Sequence, residues 1–129
     1  MDKKKTILII DDDIHIRRIL EIKIKHSGYN TITAKNGKQG LSIIHEQKPD
    51  AVISDLNMPR LDGEALCKLT NPIKKDRPFL TIIITARINP SEQEWINEMQ
   101  DTMFMEKPFS PSKIIDAIDQ YFEKAPPDF

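Results

Sequence analysis

Ala51-Val52-Ile53-Ser54-Asp55-Leu56-Asn57-Met58-Pro59 is the stretch that decides the fold, because an apolar run of strand length ends within it at a carboxylate. Pro59 then breaks the pattern. In open α/β sheets, reactive groups collect outside the carboxyl ends of the strands, so Asp55 is expected at the mouth of a site. Taken alone, a solvated turn acid explains Asp55 better, so the rest of the chain has to decide.

Four further apolar runs have the length of strands. They are Ile7–Ile10, Tyr29–Ala34, Phe79–Ile84 and Met103–Met105. The first run is continuous rather than alternating, which is typical of a parallel strand covered on both faces. Polar residues follow three of these runs directly. Asp11, Asp12 and Asp13 follow Ile7–Ile10, Thr85 follows Phe79–Ile84, and Glu106-Lys107-Pro108 follows Met103–Met105.

Helical patterns lie between the strands, and each carries an apolar stripe at the helical period. The expected inward residues are Ile16, Ile19, Leu20 and Ile24 in the first helix, Leu41, Ile43 and Ile44 in the second, Ala65, Leu66 and Leu69 in the third, Trp95, Ile96 and Met99 in the fourth, and Ile114, Ile115, Ile118, Tyr121 and Phe122 in the last. Ile22 falls outside the first stripe. A polar loop is expected between Asn71-Pro72 and Arg77-Pro78.

Strand and helix therefore alternate five times, which predicts a parallel sheet with right-handed crossovers and helices on both faces. The expected fold is α/β, a flavodoxin-like (βα)5 three-layer sandwich with strand order 2-1-3-4-5. The first and third strands are neighbours in this order, so Asp11, Asp12 and Asp55 should converge at the switch point. Thr85 and Lys107 should reach the same edge.

The residues expected at this edge of the sheet indicate a metal site and a phosphate site. Three carboxylates so close together repel one another, and a divalent cation among them relieves the repulsion. Oxygen ligands without a nearby imidazole or thiolate pair favour Mg²⁺, with Mn²⁺ as the alternative. Lys107 adds a phosphate-binding charge and Thr85 a hydroxyl, so the cluster points to phosphoryl transfer onto Asp55.

Composition excludes several other classes of protein. The 129 residues fit one domain, and 19 Lys and Arg against 20 Asp and Glu give a net charge of −1, which argues against direct nucleic-acid binding. No stretch has the length of a membrane span or a signal peptide, so we expect a cytoplasmic protein that does not bind membranes. The single cysteine, Cys67, is expected in the core. His15, His26 and His45 lack metal-ligand spacing and are expected to be solvated.

The residues at the strand ends give the chain a resemblance to the receiver domain of bacterial response regulators. In chain order they are Asp11-Asp12, Asp55 with Asn57-Met58-Pro59 and Asp62-Gly63, Thr85-Ala86, and Lys107-Pro108-Phe109. The resemblance covers nearly the whole chain, and a chemotaxis receiver is a standard example of the fold expected above.

The resemblance implies a role for each acid. Asp55 would be the phosphoacceptor and a metal ligand, Asp12 a direct Mg²⁺ ligand, Asp11 a ligand through water, and the backbone carbonyl of Asn57 a further ligand. Asp13 has no implied role and is interpreted as an acid at a helix N-terminus.

The resemblance also implies how the phosphoryl group would be held. Thr85 and the amide of Ala86 would bind it, and Lys107 would pair with it ahead of a cis Lys107-Pro108 bond. Arg87 and Asn57 would flank the path of water and tune dephosphorylation. The long Arg87 guanidinium would shield the phosphoryl group, although a side chain that points into solvent is an equally good interpretation. Phe104 would be the switch aromatic, although a plain core aromatic is an equally good interpretation.

In function, the resemblance implies a switch that takes a phosphoryl group from a sensor histidine kinase or phosphotransfer protein and catalyses its own phosphorylation and dephosphorylation. The switch would alter the face formed by the fourth helix, fifth strand and last helix, the α4-β5-α5 face, to control a downstream protein, a fused output domain or a dimer. A phosphorelay carrier without output is one alternative. A Mg²⁺-dependent phosphatase is disfavoured because that class resembles Asp-x-Asp-x-Thr, and Asn57 takes the place of the second acid. A pure interaction module is disfavoured by the intact acid cluster.

The chain departs from the family pattern at one more position, where Gln100-Asp101 replaces a common Gly-Ala and so lacks the residue best suited to a left-handed cap. We expect the receiver domain to span residues 1–124 and residues 125–129 to form a C-terminal tail.

Overall fold

The computed structural model describes residues 4–58, 60–86 and 88–124. Its five strands are β1 (Thr6–Ile10), β2 (Asn30–Ala34), β3 (Ala51–Asp55), β4 (Leu80–Thr85) and β5 (Thr102–Glu106). They form one sheet, paired in parallel in the order β2-β1-β3-β4-β5. The predicted flavodoxin-like fold and strand order are confirmed. The predicted tail, residues 125–129, lies outside the described residues.

Five helices alternate with the strands: α1 (Ile14–His26), α2 (Gly37–Gln47), α3 (Gly63–Thr70), α4 (Pro90–Ile96) and α5 (Pro111–Lys124). An additional helical turn at Ile73–Asp76 occupies the segment predicted as a polar loop, so that prediction is wrong. The turn places Lys74 inside the protein, where the residue is 2% exposed.

Four helices begin at the capping residues that the sequence provides. The side chains of Asp13, Asn36, Asp62 and Asn89 each accept a hydrogen bond from a backbone N–H in the first turn of the following helix. Asn89 and Glu92 form a reciprocal capping box, in which each side chain accepts a hydrogen bond from the backbone N–H of the other residue. The interpretation of Asp13 as a helix-terminal acid is therefore confirmed.

The core lies on both faces of the sheet because alternate residues of the central strands point to opposite sides. On one face, Ile7, Ile9 and Ile53 pack with apolar residues of α1 and α5. On the other, Leu8 and Val52 pack with residues of α2 and α3. Helix α2 approaches β1 so closely that a Cβ added at Gly40 would collide with the Ile10 side chain.

Two residues predicted to face inward are exposed. Ile19 is 50% exposed because α1 buries the side that carries Leu20 and Ile24, and Ile19 lies about 100° away from Leu20 around the helix. Leu69 is 52% exposed because the buried arc of α3 runs through Leu66 and Cys67. Ile22 is exposed as predicted, and Cys67 lies in the core as predicted.

Lys74 joins the segment after α3 to the segment before β5. Its Nζ donates to the carbonyl oxygens of Gln100 at 2.7 Å and Asp101 at 3.2 Å and to Thr102 Oγ1 at 3.0 Å. The ammonium also lies 4.7 Å from the centroid of the Phe79 ring. Helix α4 ends at Ile96 with Asn97 in the right-handed region, so it has no left-handed cap. Asp101, further along the connection to β5, adopts the left-handed conformation with φ of 48°.

Candidate functional site

The site lies at the carboxyl edge of β1 and β3, which are adjacent in the sheet with Ile10 beside Ser54. Asp11 follows β1 directly and is 3% exposed, while Asp55 ends β3 and is 7% exposed. Asp12 beside them is exposed. One carboxylate oxygen from each of the three residues lies within 4.8 Å of the other two. The structure thus brings together the three acids that the topology predicted.

Asp11 is held by its neighbours in the chain and by α1. Its backbone N–H donates to the Ala34 carbonyl at 3.2 Å, and its own carbonyl accepts from Arg17 Nη1 at 2.7 Å. Its carboxylate Oδ1 accepts a hydrogen bond from the Asp13 N–H at 2.9 Å. The side chain therefore has a fixed position at the end of β1.

The pKa of the Asp11 carboxyl is raised from 3.8 to about 6, chiefly because burial disfavours its charged form. The Asp13 N–H and the Lys107 ammonium act in the opposite direction, whereas the charges of Asp55 and Asp12 raise the pKa further. A carboxylate cluster with this cost of ionisation gains most from a cation placed among its oxygens.

The carboxylate of Asp55 faces the ammonium of Lys107, the residue that directly follows β5. Lys107 Nζ lies 3.4 Å from Asp55 Oδ1, and the lysine side chain is 32% exposed. The segment that follows Asp55 is fixed by two backbone hydrogen bonds, from Leu56 N to the Ile84 carbonyl at 3.0 Å and from Gly63 N to the Leu56 carbonyl at 2.8 Å. A Cβ at Gly63 would lie 3.0 Å from the Asp55 carbonyl oxygen, so the close approach of α3 depends on a glycine there.

Thr85 and Lys107 meet at the same edge, as predicted. Lys107 N donates to the Thr85 carbonyl at 2.7 Å, which ties the end of β4 to the residue after β5. The Thr85 side chain is buried, and Ala86 beside it is exposed. The Lys107-Pro108 peptide bond is cis, which confirms the expectation drawn from the resemblance.

Two sequence predictions remain open at this site, and one is confirmed. Asn57 lies at the protein surface beyond Asp55, and the use of its carbonyl as a metal ligand stays a prediction. Arg87 lies outside the described residues, so its proposed shielding role also stays a prediction. The three histidines are exposed, as predicted, and none belongs to the acid cluster.

Phe104, the proposed switch aromatic, contacts Trp95 of α4. The two rings are edge-to-face, with centroids 5.7 Å apart and an interplanar angle of 80°. Phe104 is partly buried and packs against the small cluster that contains Leu56 and Ile83. This arrangement fits both a core aromatic and a switch residue, so the switching role stays a prediction.

The donor set of the cluster fits a hard divalent cation. Asp11, Asp12 and Asp55 present oxygen ligands that converge on one point, and none of the described residues adds a histidine or cysteine to the group. Oxygen-only ligands are the preference of Mg²⁺ and, next to it, Mn²⁺. The Lys107 ammonium, 3.4 Å from Asp55 Oδ1, adds a positive charge beside the cluster that can pair with an anion.

Sequence reasoning assigned no role to Glu106, the last residue of β5, which directly precedes Lys107. Its carboxylate Oε1 accepts a hydrogen bond from the Ile88 N–H at 3.0 Å. An acid immediately before Lys107 was visible in the sequence, but only the register of β4 and β5, which places Thr85 beside Glu106, shows that it can reach the segment after Ala86.

Residues 7–119 of the chain match the family described as response regulator receiver domain. The chain is 35% identical over 114 residues to the "Probable transcriptional regulator ycf27" of Guillardia theta, covering 88% of this chain and 44% of that protein. It is 34% identical over 110 residues to the "Alkaline phosphatase synthesis transcriptional regulatory protein PhoP" of Bacillus subtilis, covering 85% and 45%. The chain thus spans about half the length of the curated relatives it matches.

Solved structures show the same architecture. The receiver domain of the Francisella response regulator 1452 superposes with a TM-score of 0.83 at 27% identity, covering 94% of this chain and 98% of that chain. The Vibrio cholerae chemotaxis protein CheY4 superposes with a TM-score of 0.82 at 24% identity, covering 92% and 98%. The second likeness is one of fold alone.

Among the described residues, no helix has the length and apolar character needed to cross a membrane.

Proposed function

The chain belongs to the response regulator receiver domain family, and from that membership we propose that it is a phosphoacceptor switch whose acceptor is Asp55. The phosphodonor is a phosphohistidine of a sensor kinase or a phosphotransfer protein. The observation that carries the proposal is the pairing of Asp55 with Lys107, 3.4 Å apart, beside two further acids at the open edge of the sheet.

In the reaction, an Asp55 carboxylate oxygen attacks the phosphorus in line with the bond to the donor nitrogen. The O–P bond forms as the P–N bond breaks, and the departing imidazole nitrogen keeps the electron pair. Lys107 pairs with the phosphoryl oxygens and offsets their charge. The Thr85 hydroxyl and the Ala86 N–H donate to the same group.

Asp11, Asp12 and Asp55, with the carbonyl of Asn57, would hold Mg²⁺, or Mn²⁺ in its place. When bound, the cation supplies positive charge that offsets repulsion between the carboxylates and the incoming phosphoryl group. The raised pKa of Asp11 supports this assignment, because burial makes the ionised carboxyl costly and a cation among the acids would offset that cost.

The acyl phosphate on Asp55 is lost when water attacks the phosphorus and the carboxylate departs, which returns the switch to its starting state. Because Asp55 is 7% exposed, the approach of water is confined to the mouth of the site. Residues at that mouth therefore set the lifetime of the signal.

The output of the switch is assigned to the α4-β5-α5 face. Phe104 in β5 contacts Trp95 in α4, so a change at the end of β5 reaches α4 through this aromatic pair. The two relatives named above are described as transcriptional regulators, which supports a fused output domain or a downstream protein as the target. On the same proposal, this face also pairs two copies of the chain in the phosphorylated state. The protein acts in the cytoplasm, and the receiver domain makes no direct contact with nucleic acid.

The test is the intact mass of the purified protein after incubation with Mg²⁺ and acetyl phosphate. The wild type is expected to gain one phosphoryl group, and Asp55→Asn none. Omitting Mg²⁺ or adding a chelator should abolish the gain in the wild type. An equal gain in the wild type and in Asp55→Asn would overturn the assignment of the acceptor.

A further inference from the structure

A groove between α3 and α4 has a mostly acidic lining. Its volume is about 380 Å³, and one residue of α3 and five residues in or just beyond α4 line it: Glu64, Ser91, Glu92, Glu94, Trp95 and Glu98. Four of these six residues are glutamates, whereas the whole chain has a net charge of only −1. The groove is therefore a local concentration of negative charge on a nearly neutral protein.

The protein itself neutralises only part of this charge. Glu64 pairs with Lys68 of the same helix at 2.7 Å, and Glu92 accepts a backbone N–H in the capping box of α4 at 3.2 Å. In the part of the chain that the structure describes, Glu94 and Glu98 form no ion pair, and both are exposed. These two glutamates are four residues apart, the spacing at which like charges repel across one helical turn. A positive charge from outside the chain would relieve this repulsion.

Trp95 lines the same groove and brings a hydrogen-bond donor to it. The residue is 9% exposed, and its indole Nε1 is buried with no hydrogen-bond acceptor among the described residues. Buried donors are nearly always paired, because an unpaired donor has lost its water without compensation. The indole N–H is thus a second indication, independent of the glutamates, that the groove receives a group from outside the chain.

We propose that the groove between α3 and α4 binds a cationic segment of a partner protein. Basic side chains of that segment pair with Glu94 and Glu98, and one of its backbone carbonyls accepts a hydrogen bond from Trp95 Nε1. Lysine and arginine side chains are donors only, so the acceptor has to come from the backbone. A metal ion would satisfy the carboxylates but offers no acceptor, so the indole N–H favours a peptide. Binding does not require phosphorylation of Asp55.

The probe is a short peptide, blocked at both ends, in which arginine and alanine alternate. The same peptide with glutamine in place of arginine is its control. Calorimetric titration of the unphosphorylated protein gives the dissociation constant, and Trp95, the single tryptophan, reports an occupant of the groove by its fluorescence. The arginine peptide should bind, change the fluorescence with the same constant and bind more weakly as salt is raised, whereas the glutamine peptide should not bind.

Two double variants test whether the glutamates of the groove are responsible. Glu94→Gln with Glu98→Gln removes both charges that lack an ion pair, and the exposed positions are compatible with folding. Glu46→Gln with Glu123→Gln removes the same charge from exposed positions of α2 and α5 and is the matched control. The first double variant should bind the arginine peptide about fivefold more weakly, the loss expected of two exposed ion pairs. The second should match the wild type.

A further variant tests the indole N–H. Trp95→Phe removes this donor and keeps an aromatic ring beside Phe104, so its calorimetric affinity for the arginine peptide should be about fivefold weaker, the loss typical of one hydrogen bond. Its thermal unfolding, compared with that of the wild type, shows whether the variant is folded.

Binding of the arginine peptide with no change in Trp95 fluorescence would place the peptide on another surface and overturn the inference. So would an absence of binding, an affinity unchanged by the Glu94 and Glu98 replacements, an equal loss in the matched control, or a normal affinity in folded Trp95→Phe. None of these measurements uses Asp55 or Mg²⁺, so the inference and the proposed function can fail separately.

Discussion

Replacing Asp11 by asparagine should stabilise the fold when no divalent cation is present. The side chain is 3% exposed, and the pKa of its carboxyl is raised from 3.8 to about 6. At 1.36 kcal/mol per pH unit, this rise corresponds to about 3 kcal/mol of destabilisation by the ionised form. Asparagine keeps an acceptor for the Asp13 N–H but still buries an amide, so we expect Asp11→Asn to gain about 2 kcal/mol.

The gain should depend on pH in a defined direction. Between pH 3.8 and about 6, folded Asp11 holds a proton that the unfolded chain has released. Its favourable contribution is therefore complete below pH 3.8 and is lost as the pH rises through about 6. The difference between Asp11→Asn and the wild type should be small near pH 4 and reach its full size at pH 7.

Urea unfolding in chelator at these two pH values measures both quantities, since the slope of the transition shows whether the unfolded state has changed. Saturating Mg²⁺ should then reverse the order, because a ligand at 100 times its dissociation constant stabilises the wild type by about 2.7 kcal/mol. The reasoning is refuted if Asp11→Asn is less stable than the wild type in chelator at pH 7, or if the difference is the same at both pH values.

Three further predictions follow from the other contacts. Asp12→Ala should also raise the melting temperature in chelator, but by less than Asp11→Asn, because Asp12 is exposed and its charge is screened by solvent. Calorimetric titration of this variant should show no Mg²⁺ binding, and an unchanged Mg²⁺ affinity would refute the site. Lys74→Met should lower the free energy of unfolding by about 2 kcal/mol in urea, because two partly buried backbone carbonyls and a hydroxyl lose their donor. Lys75→Met, at an exposed position, should change it very little. Trp95 is the single tryptophan and contacts Phe104, so Trp95 fluorescence should change on addition of Mg²⁺ and acetyl phosphate if phosphorylation moves Phe104. A constant spectrum in fully phosphorylated protein would argue that Phe104 is a core residue only.

The fold and the acid cluster were predictable from local patterns. Five apolar runs separated by helical stripes determine a parallel sheet, and the sheet then brings Asp11 and Asp55 together because β1 and β3 are adjacent. Capping residues such as Asn89 also act on their own helix and are visible in a few residues of sequence. These features depend on contacts within a strand, a turn or a single crossover.

The features that sequence did not reveal depend on partners far along the chain. Lys74 is buried because acceptors near residue 101 surround it, and nothing close to it in sequence indicates them. Ile19 belongs to an apolar stripe, but the side of α1 that is covered is chosen by the sheet and α5 rather than by the helix itself. Glu106 acquires its contact only through the register of two strands.

The burial of Lys74 makes it a chemical reporter of local opening. Amine reagents modify lysines at a rate set by access to the ammonium, and a lysine that is 2% exposed reacts only when its surroundings open. Lys75, next to it, is exposed and supplies an internal standard for reagent activity. The ratio of labelling at these two adjacent positions would therefore measure how often residues 100–102, at the start of β5, separate from the helical turn that carries Lys74. The same measurement can be made on the unmodified and on the phosphorylated protein.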